Sequence, residues 1–379
     1  MECFAVCTPG LEPFTALELE KLGLAPQATQ EPELTPGNSQ QHEHGGVAFA
    51  CSLADLARVN RGLRTATRVL VRLARFNAAK FVELRRKASR LPWENYLHPG
   101  QTIEIHASSH QSRLYHTGAV ANEVMNAISE RLGAAPVNGV DTTQRVMVRL
   151  VNNECTISLD SSGEPLYRRG YRLASAKAPL RESLAAGLLY AAGWDIKSPL
   201  VDPFCGSGTI PIEAALMATG RNPREQIDFA FQSWSIVRAI SEPSPDHSTR
   251  HRPTETIPII LGSDRDAGAI QMATANATRA GVEAITTFTQ QAFSNAMPPA
   301  GPGWLVTNPP YGQRVSHEKD LRNLYAQLGH VLHHSLCGWQ FAVLCNDRAL
   351  MGHTGLTILR ELPFINGGIP VRLYCGLVD

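Results

Sequence analysis

The chain has 379 residues, 43% of them hydrophobic and 18% charged, with a net charge of +1; this length implies two or three domains. No apolar run approaches the roughly 18–20 residues of a membrane helix, and the N-terminal MECFAVCTPGLEPF lacks the basic start of a secretory signal. Eight scattered cysteines without a CxxC pair point to thiols in a reducing cytoplasm, not to a zinc site or a disulfide framework, and no metal is expected.

The first half mixes short strands and helices. CFAVCTP reads as a strand and TALELEKLG as a helix stopped at Gly23. Pro26–Gly46 is rich in proline and polar residues and reads as loop. LADLARVNRGL is a helix with Leu53, Leu56 and Leu63 inward. RVLVRLARF is a strand in which Val69, Val71 and Leu73 alternate with Arg68 and Arg72. QTIEIHAS gives another strand, GAVANEVMNAISERLG a helix with Val120, Val124 and Ile128 on one side, and VMVRLVNNECTISLD a hairpin about Asn152-Asn153. Between Arg58 and Arg90, eleven basic residues stand against Glu83 alone, a surplus of ten that leaves −9 for the rest. A charge run is commonly just a solvated face. Without acidic partners, however, this one creates a field suited to a polyanion, with nucleic acid the first suspect.

After LYRRGYRLASAK the texture changes. APLRESLAAGLLYAAG reads as an amphipathic helix with Pro179 in its first turn and Leu180, Leu184, Leu188 and Ala191 along one stripe. Strands PLVDPF, IPIILGSD, Ile285–Phe288, WLVTN and QFAVLCND then alternate with helices IPIEAALMAT, AGAIQMATANATRAG and DLRNLYAQLGHVLHH. The chain ends in an antiparallel hairpin around NGG. This pattern predicts a doubly wound α/β sheet, interrupted by a Pro/Ser-rich insertion over Arg221–Pro258. The domain boundary falls near residues 165–175, giving an α+β binding region at 1–165 and an α/β domain at 166–379.

The strongest local signal is LVDPFCGSGTIPIEAA, residues 200–215. A strand ends at Asp202, a Gly206-Ser207-Gly208 turn follows, and a helix starts near Thr209, so backbone can approach a ligand at the carboxyl edge of the sheet. A dinucleotide fits poorly, because GxGxxG fails at its third glycine. In LGSDRD, Asp264 and then Asp266 are candidates to accept from ribose hydroxyls, although Asp at a strand end is also a common N-cap. In TNPPYG, Asn308 offers an amide oxygen and Pro309 a carbonyl, two acceptors for the hydrogens of an exocyclic amine. Tyr311 offers a ring to stack on a base. Such acceptors favour a pyramidal nitrogen and aim its lone pair, so neither a nucleophile nor a histidine base is required. Cys205 is accordingly read as a packing residue.

DPFCGSGT, GSDRD and NPPYGQR, in this order, resemble class I S-adenosylmethionine-dependent methyltransferases of exocyclic amines. CTPGLEPFTALELEKLG, SRLYHTGAVANEV and RRGYRLASAKAPLRESLAAGLL extend the match over nearly the whole chain to THUMP-domain RNA (guanine-N2)-methyltransferases of large-subunit rRNA or tRNA type. The resemblance implies a Rossmann-like, seven-stranded catalytic domain behind a ferredoxin-like and THUMP region that captures structured RNA. It implies S-adenosyl-L-methionine at Asp202, Pro203, Phe204, Gly206, Gly208 and Thr209, with ribose at Asp264, adenine at Gln291, and Arg265 and Ala292 also beside the cofactor. Asn308, Pro309, Pro310 and Tyr311 would hold the guanine, Asn308 also bordering the cofactor. Arg181, Glu182 and Ser183 would approach the cofactor's methionine end. Gln291 and Gln313 stand where many members carry an acid. RNA contacts are expected from Arg61, Arg64, Arg68, Arg72, Lys80 and Arg113. Adenine N6 or a protein amide as target, or a non-catalytic RNA-binding assembly factor, are the competing readings.

Overall fold

A computed structural model describes residues 1–27, 45–133, 143–173, 180–224, 227–240, 257–295, 298–299, 301–311 and 318–379. The chain divides into two compact units, and the division is not a single cut. The first unit comprises Met1–Cys7, Ala16–Leu166 and Gln226–Ser248; the second comprises Thr8–Thr15, Tyr167–Glu225 and Thr249–Asp379.

The first unit is built on one six-stranded sheet. Its strands are β1 (Glu2–Cys7), β2 (Gly46–Ala50), β3 (Ala66–Asn77), β4 (Ile103–His110), β5 (Gln144–Val151) and β6 (Glu154–Asp160). They lie in the order β2-β1-β3-β6-β5-β4, and β4 with β5 is the one parallel pair among them. Strand β3 runs for 12 residues, pairing with both β1 and β6, and bulges between Arg72 and Ala74. Among the elements the sequence reading lacked are β2 and the helix Phe81–Ala88, whose basic residues hide a buried pair, Leu84 and Ala88. The hairpin turn falls at Asn152 and Asn153, both at positive φ (50° and 67°), as a tight turn between right-twisted strands requires.

Part of the segment expected to be loop enters this unit's core. Phe229, Phe231 and Trp234 are buried; Trp234 donates from Nε1 to Gln144 Oε1 at 2.8 Å and meets Tyr96 edge-on at 5.2 Å. Three aromatics over six residues carry no helical or strand period, so the pattern gave no sign of burial.

The second unit holds a seven-stranded sheet of β7 (Leu200–Asp202), β8 (Ile260–Asp264), β9 (Thr286–Gln290), β10 (Trp304–Thr307), β11 (Gln340–Cys345), β12 (Arg360–Asn366) and β13 (Ile369–Leu377). The order is β12-β13-β11-β10-β7-β8-β9; β9 to β11 run parallel, while β13 and β12 are antiparallel. This is the predicted doubly wound sheet with its terminal hairpin, the order reversing between β7 and β10. The helix read as amphipathic differs. It begins at Glu182, runs to Ala192, and is buried on nearly every side, because apolar and small residues surround it. Pro179 lies outside the described residues. No helix among the described residues is long and apolar enough to cross a membrane.

Candidate active site

Parallel pairing of β7, β8, β9 and β10 brings their carboxyl ends to one edge, where the strand order reverses. Such an edge is where open α/β sheets bind ligands. It collects Asp202, Asp264, Gln291 and Asn308. The loop after β7 is pinned to β8 by Cys205 N–H donating to Ser263 O at 3.0 Å, and it turns through Gly206 (φ 51°) and Gly208 (φ 83°). The two glycines serve different ends. A Cβ on Gly208 would sit 3.0 Å from Ala273 Cβ and from the Phe288 ring, whereas one on Gly206 would meet no protein atom within 4 Å. Gly208 therefore permits helix-to-sheet packing, and Gly206 leaves the loop's outer side open.

Asp264 stands at the tip of β8. Its Oδ2 accepts from Gly206 N–H at 3.1 Å and its Oδ1 from Asp266 N–H at 3.0 Å. Asp266, the second ribose candidate, is instead the N-cap of helix Ala267–Ala280, accepting from Gly268 N–H at 2.7 Å and from Ala269 N–H. Arg265 and Ala292 are exposed beside this edge. Gln291 donates its backbone N–H to Asp264 O at 3.0 Å and, with Pro203, Ser263 and Phe293, lines a cavity under the strand ends. The Phe204 and Phe293 rings stack at 5.4 Å beside it. Cys205 is buried, and burial pushes its thiol well up, as befits packing rather than nucleophilic attack.

Asp202 is 2% exposed and accepts from Thr307 Oγ1 at 2.6 Å and from Phe204 N–H at 3.2 Å, tying β7 to β10. Burial, reinforced by the Asp264 charge, pushes its pKa from 3.8 up to about 7. Between about pH 4 and 7 the folded chain then holds a proton that the unfolded chain has released, so stability falls as pH rises through that window and levels above it. Asp202→Asn keeps the Oδ1 acceptor and removes the titration. The melting temperature of the variant minus that of the parent is expected to grow from pH 4 to 7 and flatten beyond. A difference independent of pH would contradict a proton on Asp202.

Asn308 follows β10. Its Oδ1 is buried and accepts no hydrogen bond among the described residues, a costly state for an amide oxygen that has no ligand to serve. Pro309 is buried behind it. Tyr311 departs from expectation: it is 2% exposed, and its hydroxyl accepts from Asn366 Nδ2 at 2.8 Å, so its ring does not lie open as a stacking platform. Gln313 lies outside the described residues.

A buried network that motif reading missed supports the glycine loop. Arg172 donates to Glu182 Oε2 at 2.9 Å, to Leu180 O at 2.9 Å and to Thr209 Oγ1 at 3.5 Å, joining the first turns of two helices. Arg169 and Tyr171 both reach Glu213 Oε1, at 3.3 and 3.2 Å. Arg279 donates to Tyr171 O and pairs with Asn276, whose Nδ2 donates to Ser207 O at 3.0 Å. Burial raises the Glu182 pKa, and Arg172 opposes that rise. Arg181 lies over the Tyr167 ring, while Ser183 is fully buried. The repeated arginines of RRGYR were the available signal, but only tertiary placement pairs them with acids 10 and 44 positions away.

The six candidate RNA-contact residues of the first unit fall into two groups. Arg64 is buried; Arg68 is paired with Asp160 and also donates to Gly163 O; Arg72 bonds Glu2 at 2.9 Å and lies over Phe4. Arg61 is half-buried, whereas Lys80 and Arg113 are exposed. The stretch read as nearly free of acidic partners thus finds them across the sheet, because β1 and β6 flank β3.

Comparison with known proteins agrees with this architecture. Residues 2–70 match the RlmL ferredoxin-like domain, 78–160 the THUMP domain, and 169–374 the RMKL-like methyltransferase domain. A Synechocystis sp. protein assigned as an RNA methyltransferase is 35% identical over 98% of this chain and 95% of its own length. The ribosomal RNA large subunit methyltransferase K/L of Syntrophotalea carbinolica is 34% identical over 98% of this chain, which spans only 52% of that longer protein. The crystal structure of SMU.472, assigned as a methyltransferase and complexed with SAH, superposes with a TM-score of 0.85 at 27% identity, covering 100% of this chain and 98% of that one. With the matched methyltransferase domain covering more than half of its length, behind matched ferredoxin-like and THUMP segments, the chain belongs to the RMKL-like methyltransferase family.

Proposed function

We propose that the protein transfers a methyl group from S-adenosyl-L-methionine to the exocyclic N2 of a guanine in structured RNA, with 23S ribosomal RNA the first candidate and tRNA the second. The observation that carries this reading is the Oδ1 of Asn308, buried and without a hydrogen-bond partner among the described residues, at the sheet edge that also bears the glycine loop. The residues present fit the cofactor. Gly206 leaves one side of the loop open, and each Asp264 oxygen, already accepting one backbone N–H, keeps a lone pair for a ribose hydroxyl. When bound, the cofactor supplies an electrophilic methyl group.

This chain's own residues do the rest. Asn308 Oδ1 and the Pro309 carbonyl accept the two amine hydrogens and turn the nitrogen lone pair out of conjugation with the ring. Tyr311 and Pro309 wall the nitrogen's site against water. The test uses labelled S-adenosylmethionine with unmodified 23S rRNA and tRNA transcripts, followed by digestion to nucleosides. Label in N2-methylguanosine is expected; label in N6-methyladenosine, or none, would overturn the reading.

RNA binding should divide the arginines as their pairing does. Replacing Lys80 or Arg113 by Ala is expected to reduce the slope of log K against log salt by about one each. Arg68→Ala should chiefly lower thermal stability, since it strands the buried Asp160 carboxylate. Equal slopes for all three variants would sink this division.

A further inference from the structure

We infer that Asn366, in the terminal hairpin, is a positioning residue for the base-holding segment Asn308–Tyr311 and acts through the Tyr311 hydroxyl; this rests on the methyltransfer reading above. Asn366 is the last residue of β12 and pairs with Ile369 across Gly367 and Gly368. Both glycines have positive φ, 59° and 86°, the pattern of a two-residue turn that fixes the register of the strands it joins. That register fixes where the Asn366 side chain projects. Its Nδ2 donates to Tyr311 Oη at 2.8 Å, with both residues buried, at 6% and 2% exposure.

The two residues come from distant parts of the sheet. Tyr311 follows β10, whereas Asn366 ends β12, the edge strand, with β11 and β13 between. A buried amide donor has to be satisfied, and here the Tyr311 hydroxyl receives it at a fixed point. The tyrosine lies three residues beyond Asn308, with the rigid Pro309-Pro310 pair between them. Fixing its hydroxyl therefore fixes the far end of a stiff segment whose near end carries the unpartnered Asn308 Oδ1. The hairpin thus sets the angle at which the acceptors meet the amine.

A double-mutant cycle on kcat tests this with the full chain, S-adenosylmethionine and an unmodified rRNA transcript. Asn366→Ala is expected to lower kcat about 10- to 100-fold, in line with a displacement of about 1 Å, with KM for the cofactor unchanged. Asn366→Ala combined with Tyr311→Phe should be no slower than the slower single variant, because the bond that Asn366→Ala removes is already lost in Tyr311→Phe. Asn366→Asp provides a second arm. Its activity relative to the parent should rise as pH falls, since the protonated carboxyl can again donate to the hydroxyl. Multiplicative losses, a pH-independent ratio, or a normal kcat in Asn366→Ala would overturn the proposal. A parent enzyme that leaves no label in RNA would instead reject the methyltransfer reading, and the proposal with it.

Discussion

Asn308→Ala is expected to lower kcat by about 10²- to 10³-fold while the dissociation constant for S-adenosylmethionine, read by calorimetry, stays within about twofold. The Asn308 amide oxygen is buried and has no hydrogen-bond partner among the described residues, so there it contributes a cost rather than a bond. A group that stabilises neither the fold nor the cofactor can recover that cost only when an amine hydrogen arrives. Its removal should therefore leave the melting temperature equal to or slightly above that of the parent. That combination separates a preorganised acceptor from a structural residue: slow chemistry, intact cofactor binding and undiminished stability. A fall in stability parallel to the loss of turnover would mean that Asn308 works as packing.

Trp234→Ala should cost the first unit about 3–5 kcal/mol of stability, measured by urea or thermal unfolding. The side chain is fully buried, meets Tyr96 edge-on and satisfies Gln144 Oε1; its removal leaves both a cavity and an orphaned acceptor. Trp234 lies in the chain between β7 and β8 of the second unit's sheet, yet packs in the core of the first unit. S-adenosylmethionine affinity should be retained at temperatures where the first unit remains folded. Stability close to that of the parent would show that the aromatic cluster is dispensable.

The catalytic sheet was legible because its strands are short apolar runs alternating with longer helix-forming segments, and because the glycine loop and NPPY punctuate strand ends. Asp264 and Gly206 were found for that reason, and they meet at 3.1 Å. What escaped was long-range. Arg172 with Glu182, Arg169 with Glu213, and Tyr311 with Asn366 are side-chain pairs set by tertiary placement, which no local pattern encodes. The buried state of Tyr311 was missed for the same reason: its neighbours come from an element 55 positions later. The basic run misled in part, since charge counted along the chain ignores acids that a sheet brings alongside, such as Asp160 and Glu2.

The 12-residue strand β3 begins within the ferredoxin-like match and ends at Asn77, just before the THUMP match opens at residue 78; that match runs on to the end of β6. Two segments that recur as separate families here share one hydrogen-bonded ladder, with β1 on one side and β6 on the other. Neither half can lose its order without exposing the backbone of the other. Amide hydrogens of β1, β3 and β6 should accordingly exchange with solvent at a common rate, in a single opening event. Cutting the chain near residue 77 would then yield two fragments that fold only when mixed.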